Sequence, residues 1–329
     1  MNTDNNNDIA VEVDTTAASD IEIQEITWLY EPYIPTGAVV LLIGDGGDGK
    51  SFYSLALAAA ISKGAPLPGA DKLYPASNVI VHNSENPWAS VILPRLKMLG
   101  ADCGRIYRIN EGDKRLTLTD ARIEAAIRKH NAKFCILDPW QSLLDKNFSM
   151  NRSESVRPAL THLARVAERT QSSILLVGHI SKSRGKAQHR GLGSVDTVNS
   201  VPSALFLGKA EGLDRDVRAV AHGKSNYAMI GKTILFRLSK ADGFVWAGES
   251  DITPDEIMNY NAVKAREDNS KLGEASEFLL ELLSEGEIPA TEAIELADEA
   301  GISKITLERA RKVEGVKSKR VDGHWVWHL

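Results

Sequence analysis

The chain has 329 residues, 43% hydrophobic and 25% charged, with a net charge of −5. Such a composition excludes global disorder and allows one large domain with a small one beside it. No run approaches 18 uninterrupted apolar residues, and the polar, acidic N-terminus lacks a basic start and an apolar stretch. Neither a membrane span nor a signal peptide is expected, and the expected compartment is the cytoplasm. Of two cysteines, Cys135 lies in an apolar run and reads as a core thiol in a reducing compartment. No Cys/His spacing suits zinc.

Residues 1–20 hold five acids, an Asn run and no Lys or Arg, and residues 1–25 read as a disordered acidic tail. From residue 26 the pattern is α/β. Ala38–Ile43 reads as a buried strand, Ser51–Ser62 as an Ala/Leu-rich helix and Asn78–His82 as a second strand. A helix over Pro87–Leu99, a strand over Ile106–Ile109 and an amphipathic helix over Thr119–His130 follow. The last has Ile123, Ala126 and Ile127 inward. Phe134–Leu137 is a strand ending at Asp138, Glu154–Thr170 a helix, and Ser173–Val177 a strand ending at His179. Strands alternating with helices imply a parallel sheet covered on both faces. Ala204–Leu207, Val217–Ala221, Thr233–Leu238 and Phe244–Trp246 lack intervening helices and predict an antiparallel extension. The larger α/β unit ends near residue 255. Residues 256–272 read as a polar linker, partly helical, and 273–329 as a separate unit. That unit is predicted to hold three short helices, the third capped by Ser303. A hairpin about Asp322-Gly323 follows, the outline of a winged helix-turn-helix.

The chemistry starts at Gly44-Asp45-Gly46-Gly47-Asp48-Gly49-Lys50-Ser51, a phosphate-loop pattern with a strand before it and a helix after it. Glycines let backbone N–H groups converge on phosphates, and the helix N-terminus adds positive potential. Residues Gly44 to Phe52 are therefore the expected ATP-binding segment. Lys50 is to reach the β- and γ-phosphates, and the Ser51 hydroxyl is to bind Mg²⁺. Asp138, delivered by an apolar strand, is the expected second Mg²⁺ ligand, through water. Glu85 follows the strand Val79–His82 and is placed to orient or deprotonate water. Glu111 and Asp113 lie in a polar loop and read as solvated. His179 either senses the γ-phosphate or caps its strand. The segment Lys182–Arg190 has four basic residues in nine, and is either a solvated loop or a contact to a nucleic-acid backbone.

In the last unit, residues 274–300 hold nine acids and no Lys or Arg, whereas 301–329 hold seven Lys or Arg against three acids. Lys304, Arg309, Arg311 and Lys312 fall on the third helix, and Lys317, Lys319 and Arg320 on the hairpin. This face suits a DNA backbone, or else a protein partner. Trp325 and Trp327 read as packing residues.

Several elements occur in a recognisable order. They are Trp28-Leu29 with Pro35 and Gly37, the phosphate loop, Ser84-Glu85-Asn86, Leu137-Asp138, Gly193-Ser194-Val195-Asp196, His222-Gly223-Lys224-Ser225-Asn226 and Trp246 with Gly248-Glu249-Ser250-Asp251. On these, residues 26–255 resemble the RecA-fold ATPases of phages, prophages and plasmids, and are similar to the RepA-type hexameric replicative helicases. The C-terminal segment resembles the small domain often appended to them. The resemblance implies a RecA-like core in a hexameric ring acting on single-stranded DNA, with Glu85 as catalytic carboxylate and His179 coupling the γ-phosphate state to DNA. It also implies that Lys224 reaches the neighbouring subunit's nucleotide, with Arg190 assisting from the same side. Relatives often carry Arg where this chain has Pro202, a departure that bears on hydrolysis or assembly. Two further readings stand beside the helicase: an ATP-dependent DNA-binding regulator or recombination mediator, and a non-catalytic nucleotide-binding scaffold.

Overall fold

A computed structural model describes residues 14–70, 72–144, 153–179, 195–239, 241–284, 286–321 and 323–328. In chain order, a small hairpin of β1 (Trp28–Tyr30) and β2 (Ile34–Pro35) precedes β3 (Val39–Gly44) and α1 (Lys50–Lys63). Then come β4 (Val79–Asn83), α2 (Leu93–Met98), β5 (Ile106–Tyr107), α3 (Ala121–His130), β6 (Phe134–Asp138), α4 (Ser153–Thr170) and β7 (Ser173–His179). A short α5 (Val195–Asn199) leads to β8 (Ser203–Gly208), β9 (Val217–Ser225), β10 (Thr233–Ser239) and β11 (Gly243–Ser250).

Nine of these strands form one sheet in the order β11-β10-β9-β8-β3-β7-β6-β4-β5. The pairs from β5 to β8 are parallel, and those from β8 to β11 antiparallel. The expected parallel core with an antiparallel extension, a RecA-like P-loop core, is the architecture found. Strand side chains alternate between two cores, as a period of two requires. Val40, Leu42, Phe134, Ile136, Leu175 and Val177 pack under α1 and α2. Leu41, Ile43, Cys135, Leu137, Ile174 and Leu176 face α3 and α4. Both faces are covered, which explains why these strands read as continuous apolar runs.

Chain 254–284 forms one helix, α6 (Pro254–Ser284), where a linker followed by a shorter helix was expected. Its start is a capping box: the Glu256 carboxylate accepts from Thr253 N at 2.6 Å, and Glu256 N donates to Thr253 Oγ1 at 3.3 Å. Ile257 packs on Ala210, Ala219 and Ala221 of the large sheet region. At the far end of α6, Ala275, Leu279 and Leu283 join a second small core. It is completed by α7 (Ala290–Glu299), α8 (Lys304–Val313) and Trp327. The strands β12 (Ile288–Pro289), β13 (Lys317–Val321) and β14 (His324–His328) form its sheet, in the order β12-β14-β13. The expected third helix and hairpin are present, and Ser303 Oγ caps α8 by accepting from Thr306 N. Trp327 is buried between β12 and β13, but Trp325, expected to pack, is exposed because only β13 flanks it.

Candidate nucleotide site

The loop between β3 and α1 stands where four neighbouring parallel strands, β3, β7, β6 and β4, end together. Gly47 and Gly49 have φ of 84° and 99°, a left-handed backbone that side chains disfavour. Gly44 answers a different demand, since a Cβ there would stand 2.1 Å from the Leu207 carbonyl oxygen of β8. Lys50 is 5% exposed, and its ammonium donates to the carbonyls of Gly44 at 2.9 Å and Asp45 at 2.6 Å. Burial lowers the Lys50 pKa, against the opposing fields of Asp48, Asp138, Asp45 and Glu85. Burial raises that of Asp48, with Asp45 adding to the effect. Phe52, in the first turn of α1, lies beneath the Arg95 guanidinium at 4.4 Å.

Asp138 closes β6 and is buried, which raises its pKa, while hydrogen bonds from Ser51 and Asn83 oppose the shift. Ser51 and Asp138 are thus brought together. A hydroxyl and one buried carboxylate beside a phosphate-binding loop fit a Mg²⁺ ion that keeps waters and takes phosphate oxygens. Among the described residues no cluster of three or more His, Cys, Asp or Glu forms a metal cage, which the same chemistry does not require. Glu85 is exposed on the turn after β4, and its charge is felt at Asp138, Lys50 and His179. His179 is the register partner of Gly44, with Nδ1 3.3 Å from the Lys50 ammonium. Burial and that cation lower its pKa. Gln141 holds the strand end by donating to the His179 carbonyl at 3.1 Å.

The family model of the AAA domain matches residues 8–185, more than half of the chain. The chain belongs to the AAA domain family. No curated protein matches it. The AAA domain brings a P-loop ATPase, so the convergence of Lys50, Ser51, Asp138, Glu85 and His179 lies within a nucleotide-hydrolysing module.

Other expected residues lie elsewhere. Lys224 is inside β9, which runs four residues beyond the expected end at Ala221. Its ammonium donates to the Val198 and Asn199 carbonyls at 3.0 and 2.9 Å, at the C-terminus of α5. Burial lowers its pKa. Arg190 and the basic segment 182–190 lie outside the described residues, as do residues 1–13 of the acidic tail. Glu111, expected to be solvated, is tied in: its Oε1 accepts from Leu116 N at 3.0 Å and lies 3.5 Å from buried His82. Pro202 offers its carbonyl to Asn226 N at 2.8 Å. One group that holds the site was not singled out in the sequence, and one that was named there takes a buried structural place. Asn83 bonds Asp138, and its signal was only an Asn at a strand end. His222 is buried between a 3.0 Å bond from Gly231 N and a 3.3 Å contact to Ser203 Oγ, and burial holds its pKa at about 4. Among the described residues no helix is long and apolar enough to cross a membrane.

Proposed function

We propose that this AAA-domain chain is a ring-forming, ATP-hydrolysing DNA translocase, the replicative helicase of a phage, prophage or plasmid. The observation that carries its ATP-hydrolysing part is the meeting of Lys50, Ser51, Asp138, Glu85 and His179 at adjacent strand ends; the ring and DNA parts rest on the resemblance of residues 26–255. In this reading ATP sits on Gly44 to Phe52, with Lys50 neutralising the β- and γ-phosphates. Ser51 and Asp138 hold Mg²⁺, which supplies charge stabilisation at the transferring phosphoryl group. Glu85 orients or deprotonates the attacking water, and His179 reads the γ-phosphate.

Lys224 acts on the next subunit of a homo-oligomer, a hexamer by the resemblance, with Arg190 assisting. The register supports action in trans. Lys224 pairs with Ala204, while Gly44 is level with Leu207, three residues higher on the same strand. That places Lys224 about 10 Å down the sheet from its own loop.

The basic segment 182–190 and the C-terminal unit supply DNA contacts, to single-stranded DNA and to duplex respectively. On the latter, Lys304, Arg309, Lys312 and Lys317 are exposed. Arg311 is paired with Glu308 at 3.2 Å, and Lys319 with Glu287. The helix-and-hairpin form of that unit also favours the second reading, an ATP-dependent duplex-binding regulator or recombination mediator.

Strand displacement on forked DNA separates the two. A helicase displaces the strand with ATP and loses this in Lys50→Ala. Duplex binding that responds to ATP without displacement selects the regulator. Replacing Lys304, Arg309 and Lys312 together by Glu should lower the slope of log affinity against log salt by about three. An unchanged slope removes the C-terminal unit from the DNA contact and leaves it a protein-docking module.

A further inference from the structure

The last residues of β4 and β6, Asn83 and Asp138, are register partners in the parallel sheet. The Asn83 side chain is buried, and both of its polar atoms are engaged. Its Nδ2 donates to Asp138 Oδ2 at 3.1 Å. Its Oδ1 accepts from Glu85 N at 3.2 Å, Asn86 N at 2.8 Å and Asn86 Nδ2 at 3.2 Å. Three N–H groups converge on one atom, so that atom is the oxygen, and the amide is oriented by its partners. The same turn is tied once more to β6 and once to the segment that follows it. Ser84 N donates to the Asp138 carbonyl at 3.2 Å, and the Ser84 and Ser142 hydroxyls are 2.6 Å apart.

We propose that Asn83 is the positioning residue of the ATP site. One amide aims the metal-binding carboxylate of Asp138 with its donor, and sets the turn that carries Glu85 with its acceptor. The inference rests on the roles proposed above for Asp138 and Glu85. A buried carboxylate has several lone-pair directions, and a donor fixed on one of them decides which remain for the metal. Glu85 is exposed, so its placement depends on the turn beneath it, and that turn is closed by Asn83 Oδ1. A carboxylate on a loosely held turn samples many positions, and loss of alignment of about 1 Å costs on the order of 10²-fold in rate.

Two substitutions separate the two halves of the role. Asn83→Asp keeps an acceptor for the turn but sets an oxygen against Asp138. Asn83→Ala removes both. The full chain is assayed for ATP turnover, and separately for equilibrium binding of a fluorescent ATP analogue as Mg²⁺ is titrated, a readout independent of hydrolysis. In both variants the Mg²⁺ needed for half the binding increment should rise about tenfold, the scale set by losing a second-shell partner. At saturating Mg²⁺, Asn83→Asp should recover kcat to within about threefold. Asn83→Ala should stay roughly 10- to 100-fold low in kcat with little change in KM. Adding Asn83→Ala to Glu85→Gln should lower turnover no further.

Wild-type Mg²⁺ dependence in Asn83→Asp overturns the proposal, and so does full recovery of kcat in Asn83→Ala. If Asn83→Ala does not unfold cooperatively, Asn83→Asp decides alone. Asp138→Asn and Glu85→Gln are run beside them. If those two lose Mg²⁺ response and hydrolysis while the Asn83 variants match wild type, Asn83 alone is misassigned. If those two match wild type, the reading of the site falls with it.

Discussion

Replacing Gly44 by Ala tests why the phosphate loop begins with glycine. The residue sits between β7 and β8 in mid-sheet, partnered by His179 on one side and Leu207 on the other. An added Cβ would lie 2.1 Å from the Leu207 carbonyl oxygen and 3.1 Å from its carbon, and real Cβ atoms essentially never come within 3.0 Å. β3 and β8 must therefore part by about 1 Å, since both contacts are to backbone and no side chain can swing aside. Parting them breaks the ladder at its end and leaves about two buried polar groups unpaired, at roughly 1–3 kcal/mol each. A loss of about 4 kcal/mol follows, which at roughly 2–4 °C per kcal/mol lowers Tm by about 8–16 °C. Gly46→Ala is the control, because nothing lies within 4 Å of its added Cβ. It should hold Tm to within about 2 °C. Thermal unfolding by circular dichroism reads both, and a Gly44→Ala Tm matching the control would refute the rigid-strand argument.

Lys50→Ala should cut phosphate release by about 10²- to 10³-fold or more. Near-wild-type turnover sinks the assignment. Glu85→Gln should bind ATP in a filter or fluorescence assay and fail to hydrolyse it, whereas loss of binding makes Glu85 structural. Lys224→Ala should keep ATP affinity while turnover falls about 10³-fold. Once subunit exchange is demonstrated, mixing it with Lys50→Ala protein should restore part of the activity; normal hydrolysis by an oligomeric Lys224→Ala excludes the trans role. His222 is held at about 4 against an ordinary 6.5, so between those values the unfolded chain binds a proton that the folded chain refuses. Its stabilisation is complete above pH 6.5 and drains by about 3 kcal/mol as pH falls toward 4. Urea midpoints at pH 7 and pH 5 should therefore differ less in His222→Gln than in wild type, and equal differences would refute this.

The parallel core was legible because each buried strand is an apolar run ended by Gly or a polar residue, as Val39–Gly44 and Phe134–Asp138 are. The phosphate loop was legible from Gly44 to Ser51, because its spacing and its strand and helix neighbours lie in one stretch of sequence. What the sequence hid is lateral. That Asn83 meets Asp138 depends on β4 lying beside β6, a pairing across 55 positions that no local pattern encodes. The β1–β2 hairpin is too short to show a period, with strands of three and two residues. The middle of α6 reads as a linker because its polar residues lack a clean apolar stripe. The Thr253–Glu256 capping box marks where that helix starts. The strand expected over Val217–Ala221 stops short of Lys224 because the end of β9, Gly223 to Ser225, has no apolar alternation.

The support beneath the phosphate loop arrives late in the chain. Leu207 limits Gly44, and Phe236 and Leu238 stand within 3.5 Å of where a Gly49 Cβ would be. During synthesis, the ribosome delivers the loop near residue 44 long before those residues. A nascent chain carrying the motif and both carboxylates still lacks the strands that shape it. Nucleotide binding should therefore emerge abruptly, after β10 has joined the sheet, and stalled chains ending near residue 200 should neither hold ATP nor divert it. The long-range pairing that completes this sheet should also time the onset of its activity.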